Sequence, residues 1–137
     1  MTKLKNEDGA DKMTAENLKG KTGLIRIIKA MGYSIDGFKA AYSNEAAFRQ
    51  VFWLNSTLVL LIIILPFKIE IRMILVLASF LSLIIELINT GLEASIDHTS
   101  TDIHPLAKIG KDVGSAAQFL ILALLITLWL IASFSIY

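Results

Sequence analysis

Residues 113–137 carry no Asp, Glu, Lys, Arg or His. Coiled into a helix rising about 1.5 Å per residue, a segment of that length exceeds the ~30 Å of hydrocarbon in a bilayer. Two further apolar blocks, 51–65 and 71–85, precede it. Hydrophobic residues make up 55% of the chain and charged ones 18%, against about a quarter charged in soluble domains. The expectation is a single all-α domain in the membrane, with a small polar part.

Residues 1–21 are polar, charged and glycine-containing, and read as a flexible tail ahead of a three-span domain over 22–137. The tail has no apolar core, so it is not a signal peptide, and insertion falls to the internal spans. Its "AENLKGKT" sets Gly20, Lys21 and Thr22 as a phosphate-binding P-loop would. Ala15 stands at the first glycine and no apolar strand precedes it, so the match is rejected. Over about 24–42, Leu24, Ile27, Ile28 and Met31 recur at spacings of three and four, with Arg26, Lys29, Asp36 and Lys39 between them. This pattern predicts an amphipathic helix, lying in the headgroup plane or packed on the protein. Gly32 and Gly37 weaken it and allow two shorter pieces.

Residues 51–65 alone are too short to cross, so the first span must begin near Glu45, and Pro66 ends it. Spans are expected at about 45–65, 71–96 and 113–137, with a short turn after Pro66 and a polar loop over 97–112. Lys and Arg concentrate before Gln50 and recur in the loop as Lys108 and Lys111, whereas the short turn has only Lys68 and Arg72. The N-terminus and the 97–112 loop are therefore expected on the cytoplasmic side. The formal charge of +1, with no long basic run, argues against nucleic-acid binding. With no cysteine, and histidine only at His98 and His104, disulfides and a dedicated zinc or haem site are set aside. Asn55-Ser-Thr fits a glycosylation pattern but falls inside a span.

The second span ends in "IIELINTGLEASIDHTS". With Glu86 at zero on a helical wheel, Asn89, Glu93 and Asp97 fall near about −60°, −20° and +20°, one face roughly 80° wide. Carboxylates at membrane depth are costly, and stacked ones repel. A bound divalent cation answers both problems, and Mg²⁺ completes its shell with water and substrate phosphates. The pattern thus points to a metal–phosphate site at the membrane edge. The other arrangement such a face permits is a polar seam, with Glu86 or Glu93 paired to Arg49 or Lys111. From spacing alone Glu45 is best read as the i,i+4 ion-pair partner of Arg49. Gly110 and Gly114 form a GxxxG that brings helices close, setting Lys111 and Asp112 beside the carboxylates and Lys111 where phosphate would lie.

Three stretches, "RIIKAMGYSIDGFKAAYSNEAAFRQ", "ELINTGLEASID" and "KDVGSAA", make the chain from about Thr22 onward resemble the prokaryotic membrane-integral diacylglycerol kinases. The resemblance implies transfer of the γ-phosphoryl of MgATP to diacylglycerol, giving phosphatidic acid, at the cytoplasmic face of a bacterial inner membrane. It implies a homotrimer of three-span subunits, each with an N-terminal surface helix and with active sites at subunit boundaries. By position, Glu45 and Glu93 correspond to the metal-binding pair, which displaces the spacing-based reading of Glu45. Glu86 corresponds to the general base. Arg26, Tyr33, Lys111, Asp112 and the stretch Asp102, Ile103, His104 correspond to nucleotide contacts, and Asn89, with Asp97, to groups that order the site. Lipid contacts are implied at Ala30, Met31, Gly32, Tyr33, Ser34, Ile35, Lys39, Ala40, Ala41 and Tyr42. Further ones fall at Ala47, Phe48, Arg49, Gln50, Val51, Arg72, Glu86, Ser115, and at Trp129, Leu130, Ile131, Ala132, Ser133 and Phe134. Ile35, Lys39 and His98 depart from the Trp, Arg and Arg common there, away from the carboxylates, which leaves the preferred lipid open.

Two rivals remain. One is a lipid kinase of the same superfamily acting on undecaprenol, against which the long "GYSIDGFKAAYSNEAAFRQ" stretch speaks. The other is a small ion or drug transporter using Glu86 and Glu93 as cation sites. Transport favours a charge near the midplane, and these charges gather toward one end.

Overall fold

A computed structural model describes residues 23–99 and 104–135. The tail over 1–21 and the site positions Asp102 and Ile103 lie outside these described residues. The described residues form four helices: α1 (Gly23–Asn44), α2 (Ala46–Ile64), α3 (Ile69–Thr99) and α4 (Pro105–Phe134). The last three are long and apolar enough to cross a membrane.

Gly32 and Gly37 do not interrupt α1, which is one continuous helix. The chain divides into two compact units, the first ending at Gly37 and the second beginning at Phe38. In the first, the described part is the opening of α1, closed locally by the Ser34 hydroxyl donating to the Ala30 carbonyl at 2.9 Å.

In the second unit α2 and α4 each pack along α3. Pro66, with no N–H to donate, ends α2 as expected. Leu65 N still reaches the Leu61 carbonyl at 2.9 Å. The turn that follows is held by Arg72, whose Nη2 donates to the Leu65 carbonyl at 3.0 Å. Above the turn Ile62, Phe67, Leu75 and Ala132 form the apolar core, with Phe67 edge-on to Trp129 at a centroid distance of 5.9 Å. Farther along, Asn55 Nδ2 donates to Ser82 Oγ at 2.7 Å and to the Val51 carbonyl at 2.9 Å. Outward faces carry Trp53, Ile63, Leu77, Phe80 and Phe119, all exposed, as helices set in lipid require.

The polar segment expected over 97–112 is mostly helical. α3 continues to Thr99 and α4 starts at Pro105. His104 explains the early start, because its Nδ1 accepts from Leu106 N at 3.2 Å and caps the helix. Pro105 at the first helical position gives up an N–H that has no helical partner there.

Two contacts fix the antiparallel registers. Asn55 meets Ser82 across α2 and α3. Glu45 lies ten residues before Asn55 and Glu93 eleven after Ser82, so at about 1.5 Å per residue the two carboxylates stand at nearly one level. Across α3 and α4, Gly110 faces Ile96 while Gly114 faces Asn89 and Leu92.

Candidate active site

Glu86, Asn89 and Glu93 occupy successive turns of α3. Glu86 is only 3% exposed, Asn89 is buried and Glu93 half-buried. Asn89 and Glu93 are i,i+4 neighbours, the spacing at which helix side chains meet, and Asn89 Nδ2 donates to Glu93 Oε1 at 3.1 Å. Asn89 is covered because α4 lays Gly114 over it. A Cβ at Gly114 would overlap Asn89 Oδ1 and stand 3.2 Å from Asn89 Cγ and 3.4 Å from Leu92 Cδ2. A Cβ at Gly110 would reach Ile96 Cδ1 at 3.0 Å. The two glycines therefore let α4 approach α3 closely, as small residues do between membrane helices.

Glu45 sits at the corner between α1 and α2, in extended backbone as the N-cap of α2, with no capping bond from its own side chain. The i,i+4 ion pair with Arg49 is not formed. Arg49 Nη1 instead donates to the carbonyls of Tyr42 at 2.9 Å and Ser43 at 3.2 Å. A helix end leaves carbonyls without partners, and the guanidinium satisfies those of α1. The charges of Glu93 and Glu45 are felt at Glu86, and those of Asp97, Glu93 and Glu45 at Lys111, so these groups share one neighbourhood.

The polar-seam arrangement is also absent. Among the described residues the ion pairs are Lys111 Nζ with Asp97 Oδ1 at 2.6 Å and Lys108 Nζ with Asp112 Oδ2 at 2.5 Å. Glu45, Glu86 and Glu93 have no cationic partner among them. Lys111 stands beside the acidic face, as expected. Asp112 is engaged with Lys108 on the exposed side of α4.

The remaining expected contacts are spread along the helices. Arg26, Ala30, Met31, Gly32, Tyr33, Ser34 and Ile35 lie on the exposed opening of α1, in the first compact unit. Lys39, Ala40, Ala41, Tyr42, Ala47, Phe48, Arg49, Gln50 and Val51 flank the α1–α2 corner beside Glu45, with Ala41, Phe48 and Val51 buried. There Trp53 Nε1 donates to the Tyr42 hydroxyl at 3.2 Å. Arg72 and the stretch from Trp129 to Phe134 lie at the other end of the helices, around the Pro66 turn. Arg72 precedes Glu86 by fourteen residues, about 21 Å along α3. Ser115, next to Gly114, is exposed, and His104 caps α4.

Gln118 was not anticipated. It is 8% exposed, and neither its Nε2 nor its Oε1 has a hydrogen-bond partner. The available signal was its place four residues beyond Gly114, continuing the face of Gly110 and Gly114.

The sequence matches the family described as prokaryotic diacylglycerol kinase over residues 32–133, a segment that includes Glu45, Glu86, Glu93 and Lys111. The chain belongs to that family. Among its relatives, a diacylglycerol kinase of Pseudomonas aeruginosa is 44% identical over 117 residues, covering 85% of this chain and 95% of the relative. One from Helicobacter pylori is 41% identical over 107 residues, covering 78% and 84%. One from Escherichia coli K12 is 36% identical over 118 residues, covering 83% and 93%. Membership makes the protein an enzyme, a lipid kinase using a nucleotide co-substrate. With three apolar helices it is a multi-pass membrane protein.

Proposed function

We propose that the protein transfers the γ-phosphoryl group of ATP to the hydroxyl of diacylglycerol, giving phosphatidic acid, with residues 22–137 as the kinase domain. One observation carries this reading: three carboxylates, Glu45, Glu86 and Glu93, share an end of the bundle with no cation paired to any of them among the described residues. A positive charge is expected there from a ligand.

Among the described residues no three His, Asp or Glu side chains form a ready-made metal cage. Magnesium does not need one, since it takes one or two carboxylates and fills its octahedron with water and phosphate oxygens. Two hard oxygen donors at one level, with a buried Asn89 Oδ1 lacking a partner beside them, fit that pattern. Glu45 and Glu93 would hold the ion. Bound with the nucleotide, it neutralises phosphate charge, the main requirement of phosphoryl transfer.

The protein groups then divide the work. Asn89 holds the Glu93 carboxylate in place through its Nδ2–H. Lys111, beside the acidic face, would meet phosphate oxygens, and the family likeness adds Arg26 and Tyr33 as nucleotide contacts. Glu86 takes the proton of the lipid hydroxyl as that oxygen bonds to the γ-phosphorus. The bond from the γ-phosphorus to the β–γ bridging oxygen breaks, and ADP leaves. The Lys and Arg excess before Gln50 and at Lys108 and Lys111 supports a site facing the cytoplasm, across a bacterial inner membrane. The family likeness extends the reading to a homotrimer with active sites at subunit boundaries and to α1 as a helix on the membrane surface.

The test is a kinase assay on the purified protein with γ-labelled ATP and diacylglycerol or undecaprenol in mixed micelles, with Mg²⁺ present or chelated. Labelled phosphatidic acid that requires both Mg²⁺ and diacylglycerol is the expected product. A preference for undecaprenol, or turnover unaffected by chelation, would overturn the reading.

A further inference from the structure

Gln118 carries a carboxamide sealed in the apolar interior of a membrane helix pair, with donor and acceptor both unpartnered. Burying such a group without a hydrogen bond is unfavourable, and a Leu would fill the same space without that cost. The structure also says which group it accompanies. Gly110 faces Ile96 and Gly114 faces Asn89 and Leu92. One more turn along α4, about 6 Å and antiparallel to α3, brings Gln118 level with Ile85 and Glu86. The carboxylate and the carboxamide are thus two buried polar groups at one depth of the bundle. No hydrogen bond joins them in the structure.

We propose that Gln118 is a specificity residue of the lipid site, its carboxamide N–H donating to an ester carbonyl oxygen of the acylglycerol whose hydroxyl faces Glu86. The inference rests on the reading of Glu86 as the base for a lipid hydroxyl. In diacylglycerol an ester sits on the carbon next to the one bearing the hydroxyl. Helix axes packed about 8–10 Å apart hold interdigitated side chains with no free space between them, so the glycerol unit reaches the pair only as α4 parts from α3 at that level. A Gln side chain turns about three torsions, so its amide can follow the carbonyl. A long-chain alcohol, or a glycerol with ether-linked chains, offers no carbonyl there. A site built to hydrogen-bond a substrate group discriminates against an analogue that lacks it.

The experiment compares wild type with Gln118→Leu and Gln118→Met, on diacylglycerol and on the dialkyl ether glycerol of matched chain length. The readouts are kcat, the KM for each lipid and for MgATP, and thermal stability in micelles. Wild type is expected to favour the diester. In both variants kcat/KM for the diester falls about five- to tenfold, the worth of one neutral hydrogen bond. Turnover of the diether and the KM for MgATP stay unchanged, and stability holds or rises. Equal losses on both lipids, no loss on either, or no wild-type preference for the diester would each overturn the inference while leaving the kinase reading intact. Failure of wild type to phosphorylate either lipid would overturn both.

Discussion

Replacing Gly114 by Ala adds a single methyl group at the closest point of the α3–α4 contact. That methyl would overlap Asn89 Oδ1 and crowd Asn89 Cγ at 3.2 Å. Either Asn89 swings aside and loses its 3.1 Å bond to Glu93 Oε1, or α4 lifts from α3 near Leu92. Overpacking of this kind costs about 1–3 kcal/mol, and Ala in place of Gly in a helix returns up to about 1 kcal/mol. A net loss of about 1 kcal/mol is expected for the single variant. With Asn89→Ala in place the obstruction is gone, because the next neighbour, Leu92 Cδ2 at 3.4 Å, is in ordinary contact. Gly114→Ala should then stabilise by up to about 1 kcal/mol, so the cycle reads a coupling of about 2 kcal/mol. Reversible unfolding in mixed micelles titrated with dodecyl sulfate measures all four proteins. Activity adds a second reading. If Asn89 orients the carboxylate that holds magnesium, Gly114→Ala raises the Mg²⁺ concentration for half-activity by about 10–100-fold, the usual effect of disturbing a ligand's supporting hydrogen bond. A change in stability of the same sign and size in both backgrounds would refute the reasoning.

Glu93→Gln should abolish turnover while the protein keeps its thermal stability and assembly state in detergent, and full activity in that variant would remove the metal role of Glu93. Glu86→Gln should lower kcat far more than it raises the KM for ATP, and a change confined to KM would contradict its assignment as base. Asn55→Leu removes the 2.7 Å bond to Ser82 Oγ together with a buried, partnerless Oδ1. Polar contacts between membrane helices average about 0.6 kcal/mol, so the two effects should nearly cancel, and micelle unfolding should move by less than about 1 kcal/mol with turnover unchanged.

The spans were legible because bilayer thickness forces length and apolarity on a segment, and Pro66 marks its stop with simple chemistry. The acidic face was legible because helical period alone puts Glu86, Asn89 and Glu93 on one side. Partners were not, since period says nothing about what lies opposite. Arg49 at i+4 from Glu45 suggested an ion pair, but the unsatisfied carbonyls of Tyr42 and Ser43 lie within its reach and take the guanidinium. The GxxxG spacing puts Lys111 near the acidic face, yet its choice of Asp97 depends on how far α3 continues past Glu93. That continuation, to Thr99, runs into a segment whose polarity suggests a loop. The start of α4 at Pro105 turned on a cap by His104, a local bond with no periodic signature. Gln118 and Asn55 were hidden for a related reason: one amide within an apolar block shows that something polar is buried, but not at what level of the neighbouring helix.

The disposition of the basic side chains explains how an acidic cluster can stay acidic. Two cations lie nearest the cluster in sequence or space, and either could have neutralised it. Arg49 is bound to the backbone of the α1–α2 corner, and Lys111 is held by Asp97 two helical turns beyond Asn89. Glu93 is instead oriented by an amide, which fixes its direction without neutralising its charge. Had a lysine stood in place of Asn89, the carboxylate would carry an internal counter-ion, and a metal arriving with phosphates would have to displace it. An amide donor, covered by a helix that only glycine lets so close, gives a carboxylate that is preorganised and still uncompensated. That combination is what the proposed function requires, a positive charge that would come and go with each nucleotide. It also accounts for glycine at position 114: a larger residue would disturb Glu93 through Asn89 without touching the carboxylate itself.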